Sequence, residues 1–206
     1  QALAVERADD QQRRRCYTGV MMMLFFSFFD PHWEPNTLYE ISAENAKTFC
    51  HTFKDPAHIG ACLRASWPLY PDQIKTGPGL DAFCAGQPNQ EETGACYSKL
   101  FTTLGWLNIS DARAFNAICT TVTEDWRSLC YMRGVDEYVG MGGGILGAQN
   151  ALKLCTLTEG SDRDVCFGEL ASIAGLYTDI GTNARRDFCD TVPEAWHKQC
   201  YASENR

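Results

Sequence analysis

Along this chain apolar residues recur at helical intervals, with none of the sustained alternation of strands. Five windows end on a cysteine, AKTFC, LDAFC, FNAIC, ALKLC and RRDFC, and each places an apolar residue beside it. Six windows begin on one, CYTGVMMMLFF, CLRASWPLYPD, CYSKLFTTLGW, CYMRGVDEYVG, CFGELASIAGL and CYASENR, and five of the six follow it with an aromatic. Helix-start signals stand where such segments need them. Thr123 precedes Glu124 and Asp125, Ser161 precedes Asp162, and Pro193 precedes Glu194, while Ser110-Asp111 and Thr182 follow breaks at Asn108 and Gly181. The pattern predicts a repeating pair: a helix A of about 15–18 residues with a cysteine about two turns in, then a helix B of about 10–12 residues ending on the next cysteine.

Setting Cys16 aside, the cysteines form five doublets: Cys50 with Cys62, Cys84 with Cys96, Cys119 with Cys130, Cys155 with Cys166, and Cys189 with Cys200. First members advance by 34, 35, 36 and 34 residues, second members by 34, 34, 36 and 34. A period of that length marks one supersecondary unit copied several times. It predicts an all-α, right-handed solenoid of about five disulfide-stapled helical hairpins, in a single domain over 1–206 with an irregular part at 1–83 and regular repeats at 84–206. Two connectivities fit the rhythm. In one, each doublet is bridged across the turn from B into the next A. In the other, Cys16 pairs with Cys50, Cys62 with Cys84, Cys96 with Cys119, Cys130 with Cys155 and Cys166 with Cys189, closing loops of 22 to 34 residues and leaving Cys200 free. The near-constant doublet spacing favours the first. Cys16 then matches the second cysteine of a doublet whose first member would fall near Val5, so it is expected to be unpaired within the chain, either buried as a thiol or bonded to another protein.

With this rhythm the chain resembles the secreted cysteine-rich α/α-repeat proteins, relatives of tetratricopeptide arrays in which every helical hairpin carries a disulfide. The resemblance implies a binding or scaffolding protein outside the cytoplasm.

Eleven cysteines in 206 residues also bear on compartment. Structural zinc wants tight pairs such as C-x2-C, and haem attachment wants C-x-x-C-H; neither occurs. Disulfides remain, and they place the chain in an oxidising setting: periplasm, cell surface or extracellular medium. The net charge of -8 and a single short basic run, Arg13 to Arg15, argue against a general nucleic-acid surface. The apolar run from Tyr17 to Phe29 follows those arginines but lacks a small-residue cleavage site, so it does not read as a signal peptide. As a helix it would rise about 20 Å against a hydrocarbon core of about 30 Å, compatible with shallow membrane contact and too short to span.

Departures from the repeat suggest where a specific surface would lie. DPHWEPNTLYEISA follows Phe29 as an insertion, and Pro68 and Pro71 cut short the helix after Cys62. The first helix is apolar on every side but that of Ser27, so either the insertion covers it or a partner does. Expected partner-binding residues are Met22, Phe25, Phe26, Phe28, Phe29, Trp33, Trp67 and Tyr70.

Catalytic signatures are weak by comparison. No HExxH, G-x-S-x-G or papain-like context occurs, and no cofactor is expected. GGGILG at 142–147 satisfies GxGxxG but follows a helix, so it reads as a flexible A-to-B loop. His51 and His58 flank one turn near Asp55, where a metal could be held, though two histidines there read more simply as solvated; no metal is expected. Glu91-Glu92 and Glu124-Asp125 read as first-turn acids complementing helix dipoles. The expected function is a non-catalytic binding module or accessory subunit; the competing class is a small-ligand binder or enzyme using the aromatic and histidine-bearing N-terminal third.

Overall fold

Helices begin and end where local chemistry satisfies their unpaired backbone groups. A computed structural model of the chain describes residues 16–25, 41–142, 144–177 and 182–202, and all the regular structure among them is helical. We number the helices α1 (16–25), α2 (Ala46–Cys50), α3 (Pro56–Ala65), α4 (Gly77–Cys84), α5 (Gln90–Leu107) and α6 (Ala112–Thr121). They continue with α7 (Glu124–Met141), α8 (Gly144–Thr156), α9 (Gly160–Tyr177), α10 (Thr182–Cys189) and α11 (His197–Ala202). Asp55 caps α3 by accepting from the Ala57 amide at 2.8 Å, and Asp111 caps α6 from Ala114 at 3.0 Å. Pro68 opens a single 3-10 turn, Trp67–Leu69, just after α3 ends. The three long A helices, α5, α7 and α9, are 18 residues each.

All five doublets are bridged, with Cα atoms 5.3 to 5.8 Å apart and every bridged cysteine fully buried. The pairs join α2 to α3, α4 to α5, α6 to α7, α8 to α9 and α10 to α11. The hairpin-closing alternative is excluded. In the chain-entropy model, closing a loop of this length stabilises by about 3 kcal/mol.

The chain divides into two compact units, Gln1–Lys75 with Gly79–Cys96, and Thr76–Pro78 with Tyr97–Arg206. In the second, α7 packs on α8 and α9, α9 packs on α11, and the shorter α6, α8 and α10 pack on one another in order. Helices that carry a second cysteine thus line up with one another, and so do those that carry a first. Phe101, Phe115, Tyr131, Tyr138, Leu154, Phe167 and Leu170 are fully buried between them, each contributing roughly 1.5–3 kcal/mol through lost apolar contact with water. The buried tyrosines keep their hydroxyls satisfied: Tyr131 donates to Asn116 Oδ1 at 2.9 Å and Tyr138 to the Asn108 carbonyl at 2.8 Å. Close approach of α7 to the helices before it depends on Gly134, where any Cβ would overlap the Phe115 ring.

GGGILG proves to be a helix junction. Gly142 caps α7 and α8 starts at Gly144, so most of the expected loop is helix, and Gly142 and Gly147 approach too closely for side chains. Backbone packing between successive helices, invisible in a motif, accounts for those glycines.

In the first unit, Met21 and Phe25 of α1 pack with Ala46, Cys50, Ala61, Cys62, Leu63 and Ala65 of α2 and α3. Arg64 of α3 donates from Nη1 to Glu92 Oε2 of α5, both side chains being almost wholly buried. Glu92 is therefore more than a dipole-complementing first-turn acid. Gly60 makes room for it, since a Cβ there would overlap its carboxylate. Removing one partner leaves a buried charge uncompensated, so Glu92→Ala should lower unfolding free energy by about 3–5 kcal/mol, whereas Arg64→Leu with Glu92→Leu should recover most of it. Denaturant melts of the two variants check this; equal losses would show the pair is not what holds α3 to α5.

Candidate functional site

Helix α1 divides into two faces. Met21 and Phe25, one turn apart, enter the core, with Tyr17, Met22 and Leu24 packed beside them. Tyr17 meets the His58 ring edge-on at 4.0 Å between centroids. The opposite stripe, Cys16, Gly19, Val20 and Met23, follows i, i+3, i+4, i+7 spacing and is exposed. Cys16 is unpaired, with an exposed side chain.

The residues expected at a partner surface therefore separate. Phe25 and Trp67 are core residues, Phe25 because the helix turns it inward beside Met21, Trp67 because the 3-10 turn folds it under. Met22 and Tyr70 are half-buried. Phe26, Phe28, Phe29 and Trp33 lie outside the described residues. Val20 and Met23 went unnoticed because an all-apolar run does not reveal which side faces the core; the i, i+4 pair Met21 and Phe25 was the available signal.

Tyr70 lines a shallow open groove of about 160 Å³ with Lys47, Leu63, Ser66, Gln73, Ala82, Phe83 and Gly86. Its hydroxyl donates to the Ala43 carbonyl at 2.7 Å, its ring lies edge-on to Phe83, and burial pushes its ionisation upward. His51 is exposed, whereas His58 is half-buried among Tyr17 and Phe53, with Nε2 enclosed and unbonded. Asp55, the third residue of that turn, is committed to capping α3. Among the described residues no group of three or more His, Cys, Asp or Glu is placed to hold a metal ion.

Large apolar side chains are also exposed in the second unit. Trp106 (51%) and Leu107 end α5, Met141 (61%) ends α7, and Leu146 lies in the first turns of α8. The Tyr138 to Asn108 bond ties the ends of α5 and α7 together. All four residues thus sit at the hairpin ends that carry no cysteine.

A charged cluster crosses the long helices. Arg133 of α7 donates to Ser98 Oγ of α5 at 3.0 Å and to Asp136 Oδ2 at 3.1 Å. Glu169 of α9 is pushed upward, first by burial and then by Asp136, whose carboxyl shares a hydrogen bond with it; Arg133 opposes the shift. Glu137 is raised by burial and by Asp136, against the pull of Lys99 and Arg133, and Lys99 is lowered by burial. Tyr131 is pushed up to about 12, mainly by burial.

No protein-family model, curated protein or solved structure matches this chain. Five buried disulfides fit an oxidising, extracytoplasmic environment. Among the described residues no helix is long and apolar enough to cross a membrane.

A raised carboxyl binds its proton more tightly folded than unfolded. Its stabilising effect is complete below the ordinary value of 4.5 and is lost as pH climbs through the raised one. Glu169→Gln keeps a donor for Asp136 without titrating. Its melting temperature relative to the parent should rise as pH climbs above 4.5 and the parent's raised carboxyl ionises; thermal melts from acid to neutral pH check it, and a constant offset would contradict it.

Proposed function

We propose that this chain is a non-catalytic extracytoplasmic helical-repeat protein that serves as a protein-binding module or accessory subunit of a larger assembly, in the periplasm, at the cell surface or secreted. The observation that carries the reading is where apolar surface is left. Hairpins stapled at one end bury their cores thoroughly, yet Trp106, Leu107, Met141 and Leu146 stay exposed at the other end, and Val20 and Met23 on α1; Met132 and Leu157, both 37% exposed, lie instead near the bridged cysteines. Aromatic and methionine side chains of low entropy or high adaptability are effective contact residues. The apolar first helix is a second contact region for such a partner, and shallow membrane contact there would add to it rather than replace it.

The groove around Tyr70, with one cation from Lys47 and an aromatic wall, supports a second reading as a small-ligand binder.

Native extracts separate the two. The parent chain should co-purify with a defined protein, and Trp106→Ser with Met141→Ser should elute free of it while keeping its helical circular dichroism, because exposed substitutions shift stability by only about 0.5 kcal/mol. A parent chain that elutes free of protein at native concentration would overturn the binding-module reading.

A further inference from the structure

Aligning the repeats on their second cysteine shows what the exposed face of α1 lacks. The residue four beyond that cysteine is Ser66 at the C-cap of α3, Leu100 in α5, Gly134 in α7 and Leu170 in α9, and all four are buried. In α1 the same position is Val20, 59% exposed. The fully described case shows what covers it. From α7, Cys130 bonds to Cys119 of α6, Arg133 reaches Ser98 of α5, Gly134 lies under Phe115 of α6, and Glu137 lies against Gly105 of α5, where a Cβ would come within 3.2 Å of it. The corresponding residues of α1 are Cys16, Gly19, Val20 and Met23, its exposed stripe. Among the described residues nothing lies within 4 Å of where a Gly19 side chain would start. Eleven and twelve residues before Cys16, the separations of the other doublets, stand Val5 and Ala4.

We infer that this face is an unfilled inter-hairpin interface, and that its occupant is a helix of another polypeptide ending in an apolar residue and a cysteine, disulfide-bonded to Cys16. The inference deepens the binding-module reading and rests on it. A second copy of the chain is a poorer occupant, because all five of its helix-ending cysteines are already bridged. The bond forms by exchange: the Cys16 sulfur, its proton passing to solvent, attacks the partner sulfur of a mixed disulfide. A new S–S bond forms, the old one breaks, and the departing thiolate takes its electron pair.

The chain contains its own template for the missing helix. Val20 is closest in size to Leu100 and Leu170; the helix that carries Leu170, α9, packs on α8 and is bridged to it through the Cys155 to Cys166 pair, with Ala151 buried one turn before the cysteine. A synthetic peptide of the α8 sequence, Gly144–Thr156, with its cysteine activated by 2-nitro-5-thiobenzoate, is therefore the probe. Offered to the full-length chain, it should release thiolate about tenfold faster than a scrambled peptide activated in the same way, the factor that ~1.4 kcal/mol of docking gives. Val20→Glu should abolish that preference while leaving the reaction with a small aromatic disulfide unchanged, and Cys16→Ser should abolish release. Equal rates for the two peptides, an unaltered preference in Val20→Glu, or a Cys16-linked homodimer as main product would each overturn the inference. A chain that shows no preference yet still co-purifies with a native partner loses this inference and keeps the binding-module reading.

Discussion

Everything in this molecule depends on the covalent closure of one turn, the passage from a short helix into the long helix that follows. A single hairpin of this length buries too little apolar surface to offset the entropy of ordering its residues. The disulfides reduce that cost in the unfolded state, about 3 kcal/mol for each loop, without requiring wider hairpins or a larger core. What they do not do is hold the other end. There the helices depend on close backbone approach at Gly142 and Gly147 and on the Tyr138 to Asn108 hydrogen bond. The exposed Trp106 and Met141 lie at that less constrained end.

The first unit solves the same problem with less regularity. Its short α2, Ala46–Cys50, and the proline-terminated α3 supply little helix surface. A buried ion pair from Arg64 to Glu92 links α3 to α5 in addition to the staples at Cys50–Cys62 and Cys84–Cys96. Such a pair adds little net stability over an apolar substitute, because desolvation offsets much of the attraction. It does specify register: only one placement of α3 on α5 sets Gly60 under the Glu92 carboxylate.

Much of this architecture was legible because cysteine spacing is a direct consequence of three-dimensional repetition. The doublets, the 18-residue length of α5, α7 and α9 and the starts after Asp111 and Thr123 are local, and the structure follows them; Ser161 instead lies inside α9, and the helices that end on a first cysteine run from 5 to 13 residues against the expected 10–12. What was hidden depends on partners distant in sequence. Glu92 resembles any first-turn acid until Arg64, 28 residues earlier, is placed beside it. His58 reads as a solvated turn residue until Tyr17 packs against its ring. GGGILG reads as a loop because glycine propensity is weak beside the tertiary packing of α7 on α8. Phe25 and Val20 have similar hydrophobicity but opposite surroundings, and only the direction of the core tells them apart.

The placement of the staples bears on how such a chain would withstand proteases. Every bridge spans only 11 or 12 positions and straddles a turn. A backbone cut between the two cysteines of a doublet, for instance in the turn from α8 to α9, leaves both fragments covalently joined. A cut between α5 and α6 falls outside every bridged loop and severs the chain. Exposed turns are where nicking concentrates, so half of the turns tolerate it and the other half do not. The covalent continuity of the molecule thus depends on the hairpin ends that carry no cysteine.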